Sequence, residues 1–169
     1  MNILETDRLT LRHLTLDDAA FILELVNDPS WLRYIGDRGI HDLDGACAYL
    51  AKGPIVSYER HGFGMYLVAL KSDGASAGIC GLIKRDTLPD IDIGFAFLRR
   101  YWGHGYAGES AAAAIAEGKD KFGLKRVIAI TSPDNEASIR LLEKLGFGFE
   151  KMIRVTEGAA ETKLFAREL

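Results

Sequence analysis

The stretch RRYWGHGYAGESAAAAIAEG at residues 99–118 places glycines at positions 103, 105 and 108 just ahead of an alanine-rich run. Alanine is the strongest helix former, so a helix is predicted over 106–122, entered from a glycine-rich turn. The first-turn amides of a helix lack intrahelical partners and sit at the positive end of its dipole, which makes such a turn an anion site. Glycines let a ligand approach the backbone where a side chain would block it.

Spelled literally, Gly103-His104-Gly105-Tyr106-Ala107-Gly108 is G-x-G-x-x-G, a pattern of dinucleotide-binding folds. Those folds carry the loop in their first strand-helix-strand unit, followed by an acidic residue at the end of the next strand. Here the loop lies past the middle of the chain, and the next predicted strand ends in Thr131-Ser132-Pro133. A phosphate loop for nucleoside triphosphates needs Lys-Ser or Lys-Thr after its glycines, and neither follows. A turn that merely caps the helix is the alternative that needs no ligand.

Outward from the loop, residues 63–71, 76–85 and 90–98 read as antiparallel strands, the first two joined at Ser72-Asp73-Gly74. Downstream come the β-branched run 126–131, a helix over 136–145 stopped by Gly146, and a terminal hairpin from 149–156 and 162–167. Near the start, Leu9 and Leu11 alternate with Thr10 and Arg12. Thr15-Leu16-Asp17-Asp18 then matches a capping box that opens a helix over 16–27, ending before Pro29. A helical pattern over 43–60 is broken at Gly53-Pro54. The fold class is α/β (α+β): one domain over 1–169, with a mixed, mostly antiparallel sheet of about six or seven strands and about four flanking helices.

The chain has 169 residues, is 48% hydrophobic and 27% charged, and carries a formal net charge of -3. That suits one soluble domain and supplies no basic face for nucleic acid and no polybasic membrane anchor; mild acidity is compatible with an amine substrate. Cys47 and Cys80 have neither disulfide nor zinc spacing and read as free thiols, which places the protein in the cytoplasm. His13, His41, His61 and His104 form no local cluster, so no metal is expected.

Two motifs in order, YWGHGYAGES and the N-x-x-S-x-x-L-L-E-K-L-G-F within residues 135–147, resemble the GCN5-related N-acetyltransferases, the GNAT family. LETDRLTLRHLTLDDA and HGFGMYLVALK resemble the branch that contains the ribosomal-protein N-terminal acetyltransferases. The resemblance implies a GNAT-like fold, acetyl-CoA as cosubstrate, and an amine acceptor, either a small molecule or a protein N-terminus. The family loop reads Q/R-x-x-G-x-G/A. One frame sets Trp102, Gly105 and Ala107 in its places, and the other sets Arg100, Gly103 and Gly105.

By resemblance, the amides of residues 103–107 (Gly103, His104, Gly105, Tyr106, Ala107) would cradle the pyrophosphate. Phe97 and Leu98 would pair their backbone with the pantetheine arm, Arg99 or Arg100 would add charge, and Asn135 would orient the cofactor. Asp92, in Asp90-Ile91-Asp92-Ile93-Gly94, falls where relatives carry an acidic residue before the loop, and strand alternation puts Asp90 and Asp92 on one face. That acidic pair is assigned to amine recognition and deprotonation; the structural alternative is a solvent-facing strand edge. Many relatives carry a tyrosine where this chain has Leu142, so Ser138 is assigned as proton donor to the thiolate, although Asn135 and Ser138 are also favoured helix caps. Trp31, Tyr34, Tyr49, Phe63 and Tyr66 are acceptor-pocket candidates or ordinary core. Cys80 is expected in the core rather than as a nucleophile. Exposed strand edges after the last helix leave room for a homodimer. A non-catalytic acyl-CoA-binding module and a nucleotide-dependent oxidoreductase are the competing readings.

Overall fold

The computed structural model describes residues 2–169. Among them one sheet of eight strands runs in the order β1-β2-β3-β4-β5-β6-β8-β7. The strands are β1 (Asn2–Glu5), β2 (Leu9–His13), β3 (Met65–Leu70), β4 (Ser76–Ile83), β5 (Asp92–Phe97), β6 (Arg126–Thr131), β7 (Gly148–Ile153) and β8 (Thr162–Glu168). The helices are α1 (Ala19–Val26), α2 (Pro29–Tyr34), α3 (Leu43–Lys52), α4 (Pro54–His61), α5 (Tyr106–Phe122) and α6 (Glu136–Lys144).

The capping box forms: the Thr15 hydroxyl accepts from the Asp17 amide, and the Asp18 carboxylate accepts from the Thr15 amide. The first turn it opens, Leu16–Asp18, is tighter than α-helical, and α1 follows. Gly53-Pro54 splits α3 from α4, since the proline ring leaves no amide donor at that step. β1 and α2 escape the sequence reading and account, with that split, for much of the excess over six or seven strands and four helices. Asp28 caps α2 through the Ser30 amide and Pro29 takes the first position, a start signal present in the sequence.

One face of the sheet packs on α5, burying Leu11, Val68, Leu82, Ala111 and Ile115; the other packs on the N-terminal helices through Ile22, Leu25, Leu50, Leu67 and Ile79. All neighbouring strands are antiparallel except β5 and β6. Those two meet in register only at Asp92 and Ile128, where the Ile128 amide donates to the Ile91 carbonyl at 3.0 Å. Beyond that point they diverge. The Leu98 amide donates to Ala77, on β4, at 3.0 Å, so the alternate residues Phe95 and Phe97 turn their backbone groups to the opposite edge, where β6 has swung away.

Candidate active site

The divergence opens a cleft of about 1090 Å³, with β5 from Asp92 to Phe97 on one wall and Ala129 to Thr131 of β6 on the other. At the far end of β5 the chain enters the glycine-rich loop. Gly103 and Gly105 have φ of +79° and +81°, while no other residue type among those described has a positive φ. Their conformation is left-handed and their sequence identity follows from it. None of the amides of residues 103–108 donates to a protein acceptor among the described residues, so a run of free donors stands at the α5 N-terminus. Gly108 has a packing role: a Cβ there would stand 3.0 Å from Leu141 Cδ1 of α6.

Trp102 closes the end of the strand. Its indole N–H donates to the Phe97 carbonyl at 3.0 Å, the Arg99 guanidinium lies 4.4 Å over its ring, and Tyr34 of α2 stacks on it at 6.4 Å. From the β1–β2 turn, Arg8 donates to the His104 carbonyl at 2.9 Å and to Glu109 Oε2 at 2.8 Å, and lies over the Tyr106 ring. Thr6 also donates to Glu109, at 2.6 Å. Arg8 and Glu109 thus fasten the loop from below, a long-range pairing with no local signal in the sequence.

Asp92, Phe97, Trp102, Gly103, Gly105, Tyr106, Ala107, Asn135 and Ser138 all line the cleft. The structure corrects two of the residues assigned to the cofactor. Leu98 is buried, its amide is held by Ala77 and its carbonyl accepts from Tyr101, so neither group is available to a ligand. Arg100 reaches away to Glu24 at 2.7 Å and over Tyr101. His104 is assigned through its amide, which has no protein acceptor among the described residues, while its ring stacks on Tyr106 and meets the Tyr101 carbonyl at 3.2 Å, outside the cleft.

Asp92 is no solvent-facing edge residue. It is 1% exposed, and its Oδ2 accepts from Arg85 Nε at 2.7 Å while Oδ1 has no partner. Burial raises its pKa above the usual carboxylate value, and the charge and hydrogen bond of Arg85 oppose the rise. Asp90 does not share its role: it stands outside β5, 3.3 Å from Arg126. Arg85 was missed because the β4–β5 connection, not sequence proximity, carries it back over Asp92.

On α6, Asn135 caps the helix by accepting from the Ser138 amide at 3.2 Å. Leu142 is buried in the core. Trp31, Tyr34 and Tyr49 line the cleft, whereas Phe63 and Tyr66 lie in the α5-side core. Cys80 is fully buried, which pushes its thiol up to about 12.

Residues 8–148 match the family model described as an acetyltransferase (GNAT) domain. The chain belongs to the GNAT acetyltransferase family. It is 30% identical over 154 residues to the uncharacterized N-acetyltransferase YoaA of Bacillus subtilis, covering 90% of this chain and 86% of that one. Its fold resembles that of RimL, a ribosomal-protein acetyltransferase solved with coenzyme A, with a TM-score of 0.85 at 18% identity over 100% of this chain and 98% of that one. It also resembles MccE, a microcin self-immunity acetyltransferase solved with acetyl-CoA and AMP, with a TM-score of 0.81 at 16% identity, covering 97% and 94%. The chain is therefore an acetyltransferase.

Proposed function

We propose that this acetyltransferase moves an acetyl group from acetyl-CoA to a primary amine by direct attack of the amine on the thioester. The carrying observation is that one cleft runs from Phe95 and Phe97, which no strand pairs on their β6 side, to a loop whose amides at 103–108 have no protein acceptor among the described residues. A pantetheine arm pairs with the free edge at Phe95 and Phe97, and Trp102, by occupying the Phe97 carbonyl, ends that pairing before the loop. The amides of residues 103–108 hold the pyrophosphate at the helix N-terminus.

The reaction forms an N–C bond and breaks the C–S bond. The amine proton goes to Asp92, directly or through a water it holds, and burial suits Asp92 to the task by making the carboxylate a stronger base. The departing thiolate takes a proton from the Ser138 hydroxyl, which solvent replaces. A main-chain amide of β5 polarises the carbonyl. A cysteinyl intermediate has no support, since Cys80 is sealed in the core as a neutral thiol. The free thiols of Cys47 and Cys80 support a cytoplasmic location. No described helix is long and apolar enough to cross a membrane.

Isothermal titration with acetyl-CoA, paired with thiol detection over an amine panel, tests this reading. Binding together with CoA release supports it. Binding without release from any amine would instead favour an acyl-CoA-binding module. Replacing Ser138 with alanine is expected to slow turnover about tenfold with acetyl-CoA affinity unchanged, which separates proton donation from the Asn135 cap.

A further inference from the structure

The chain as a whole is acidic, yet its cleft is lined by cations that no acid holds. Arg38, Lys52 and Arg60 line it, and among the described residues none of the three has an ion pair or hydrogen bond with a carboxylate. Outside the cleft Arg8, Arg12, Arg100, Arg126 and Arg154 are each held by an acid, while Arg33, Arg99, Arg140 and Arg167 have no acid partner among the described residues. Of the acids on the cleft wall, Asp92 is taken by Arg85, and Asp37 faces His41 at 3.8 Å and accepts from the Gly39 amide. Asp86 remains, against the three cations.

Arg60 stands toward the end of β5 that lies away from the glycine loop. Lys52 ends α3 and Arg60 lies in the last turn of α4, which leads into Met65 of β3. Met65 pairs with Gly81, and Gly81 with Gly94 near the start of β5. The loop follows the other end of that strand, which spans Asp92–Phe97. At a rise of about 3.3 Å per residue, Gly94 lies roughly 10 Å from Phe97 at the loop end. Burial raises the hydroxyl pKa of Tyr49, and the charges of Arg38 and Arg85 oppose the rise.

Two buried polar atoms on the cleft wall are left unsatisfied. One is the acceptor Asp92 Oδ1; the other is a donor, the indole N–H of Trp31, in a residue only 6% exposed. Orphaned buried groups are costly, and a ligand that supplies both a donor and an acceptor removes both costs. We propose that the acceptor is an amine that also bears an anionic group, a carboxylate or a phosphoryl group, taken by Arg38, Lys52, Arg60 and the Trp31 N–H while Asp92 takes the amine. The proposal rests on the acetyl-transfer reading above and narrows its acceptor class.

Matched acceptor pairs test it: free amino acids against their methyl esters, and phosphoethanolamine against ethanolamine, followed by CoA thiol release. The anionic member of at least one pair is expected to have the higher kcat/KM by tenfold or more, with the preference shrinking as salt rises. Arg38→Gln, Lys52→Gln and Arg60→Gln are each expected to raise KM for the anionic acceptor several-fold. The neutral partner's KM and the KM for acetyl-CoA should stay unchanged. Equal use of both members, preference for the neutral ones, variants that slow both alike, or acetyl-CoA binding with no turnover of any anionic probe would overturn the proposal. Loss of acetyl-CoA binding itself would instead overturn the reading beneath it, so the two failures are told apart by one titration.

Discussion

Arg85 Nε stands 2.7 Å from Asp92 Oδ2, at the residue where β5 and β6 make their one in-register pairing, and leaves Asp92 Oδ1 without a partner. A carboxylate at the vertex of the cleft is therefore half-satisfied: one oxygen is anchored and the other is open to whatever enters.

Removing the anchor has a pH signature. The folded pKa of Asp92 already lies above its ordinary value of 3.8, so the folded state binds the proton more tightly than the unfolded chain. That contribution is complete at low pH and is lost as pH rises through the folded pKa. Arg85→Met raises the folded pKa further. Stranding a buried carboxylate in this way is expected to cost about 2 kcal/mol at pH 7.5 and clearly less at pH 5. The figure lies below that of a sealed pair because solvent screens a half-buried Arg85, whose side chain is 31% exposed. Urea unfolding at the two pH values measures it; equal losses at both would remove the charge argument.

For Asp92→Asn, the amide keeps the shape and removes the base. Turnover is expected to fall about 100-fold, with the Kd for acetyl-CoA within about twofold of wild type. In the wild type, kcat/KM should rise with pH along an acid limb above the ordinary carboxylate range, since burial raises the pKa. A variant that keeps full turnover would remove Asp92 from the chemistry.

Alanine at Gly103 or Gly105 must adopt a left-handed backbone. That conformation costs a residue with a Cβ about 1 kcal/mol. Nothing stands within 4 Å of a Cβ at Gly103, so the effect there is strain rather than collision. Acetyl-CoA affinity is expected to fall about tenfold or more in titration as the amides turn away. Gly108→Ala instead meets only the flexible end of Leu141 and keeps its helical backbone, so acetyl-CoA affinity should change little.

Glu109→Ala removes the acceptor shared by Thr6, the Arg8 amide and the Arg8 guanidinium. The loop loses its fastening from the β1–β2 turn, so acetyl-CoA should bind several-fold more weakly while turnover at saturating cofactor is preserved. Separate kcat and KM values decide this, and a loss confined to kcat would show that Glu109 does something else.

Elements with a strong local pattern were legible in the sequence. The bounds of α5 and β6 follow from an alanine run closed by Gly123 and from a β-branched run, and the Thr15 capping box forms as its spacing implies. The glycine-rich turn was legible for the same reason, because positive φ demands glycine at 103 and 105. What depends on chain returns was not. Alternation put Asp90 and Asp92 on one face, but the parallel β6 buries one and Arg126 claims the other. Leu98 looked available until β4 took its amide. Trp102, unexplained as a loop residue, is accounted for by a carbonyl five positions back and a ring from α2.

The most direct measurement is CoA thiol release from acetyl-CoA by the wild-type protein over a panel of primary amines, read beside the Asp92→Asn variant. Release well above the uncatalysed rate with at least one amine, falling about 100-fold in the variant, is the expected result. No release above background with any amine, from a protein that binds acetyl-CoA, would mean that the cleft between β5 and β6 holds the cofactor without using it.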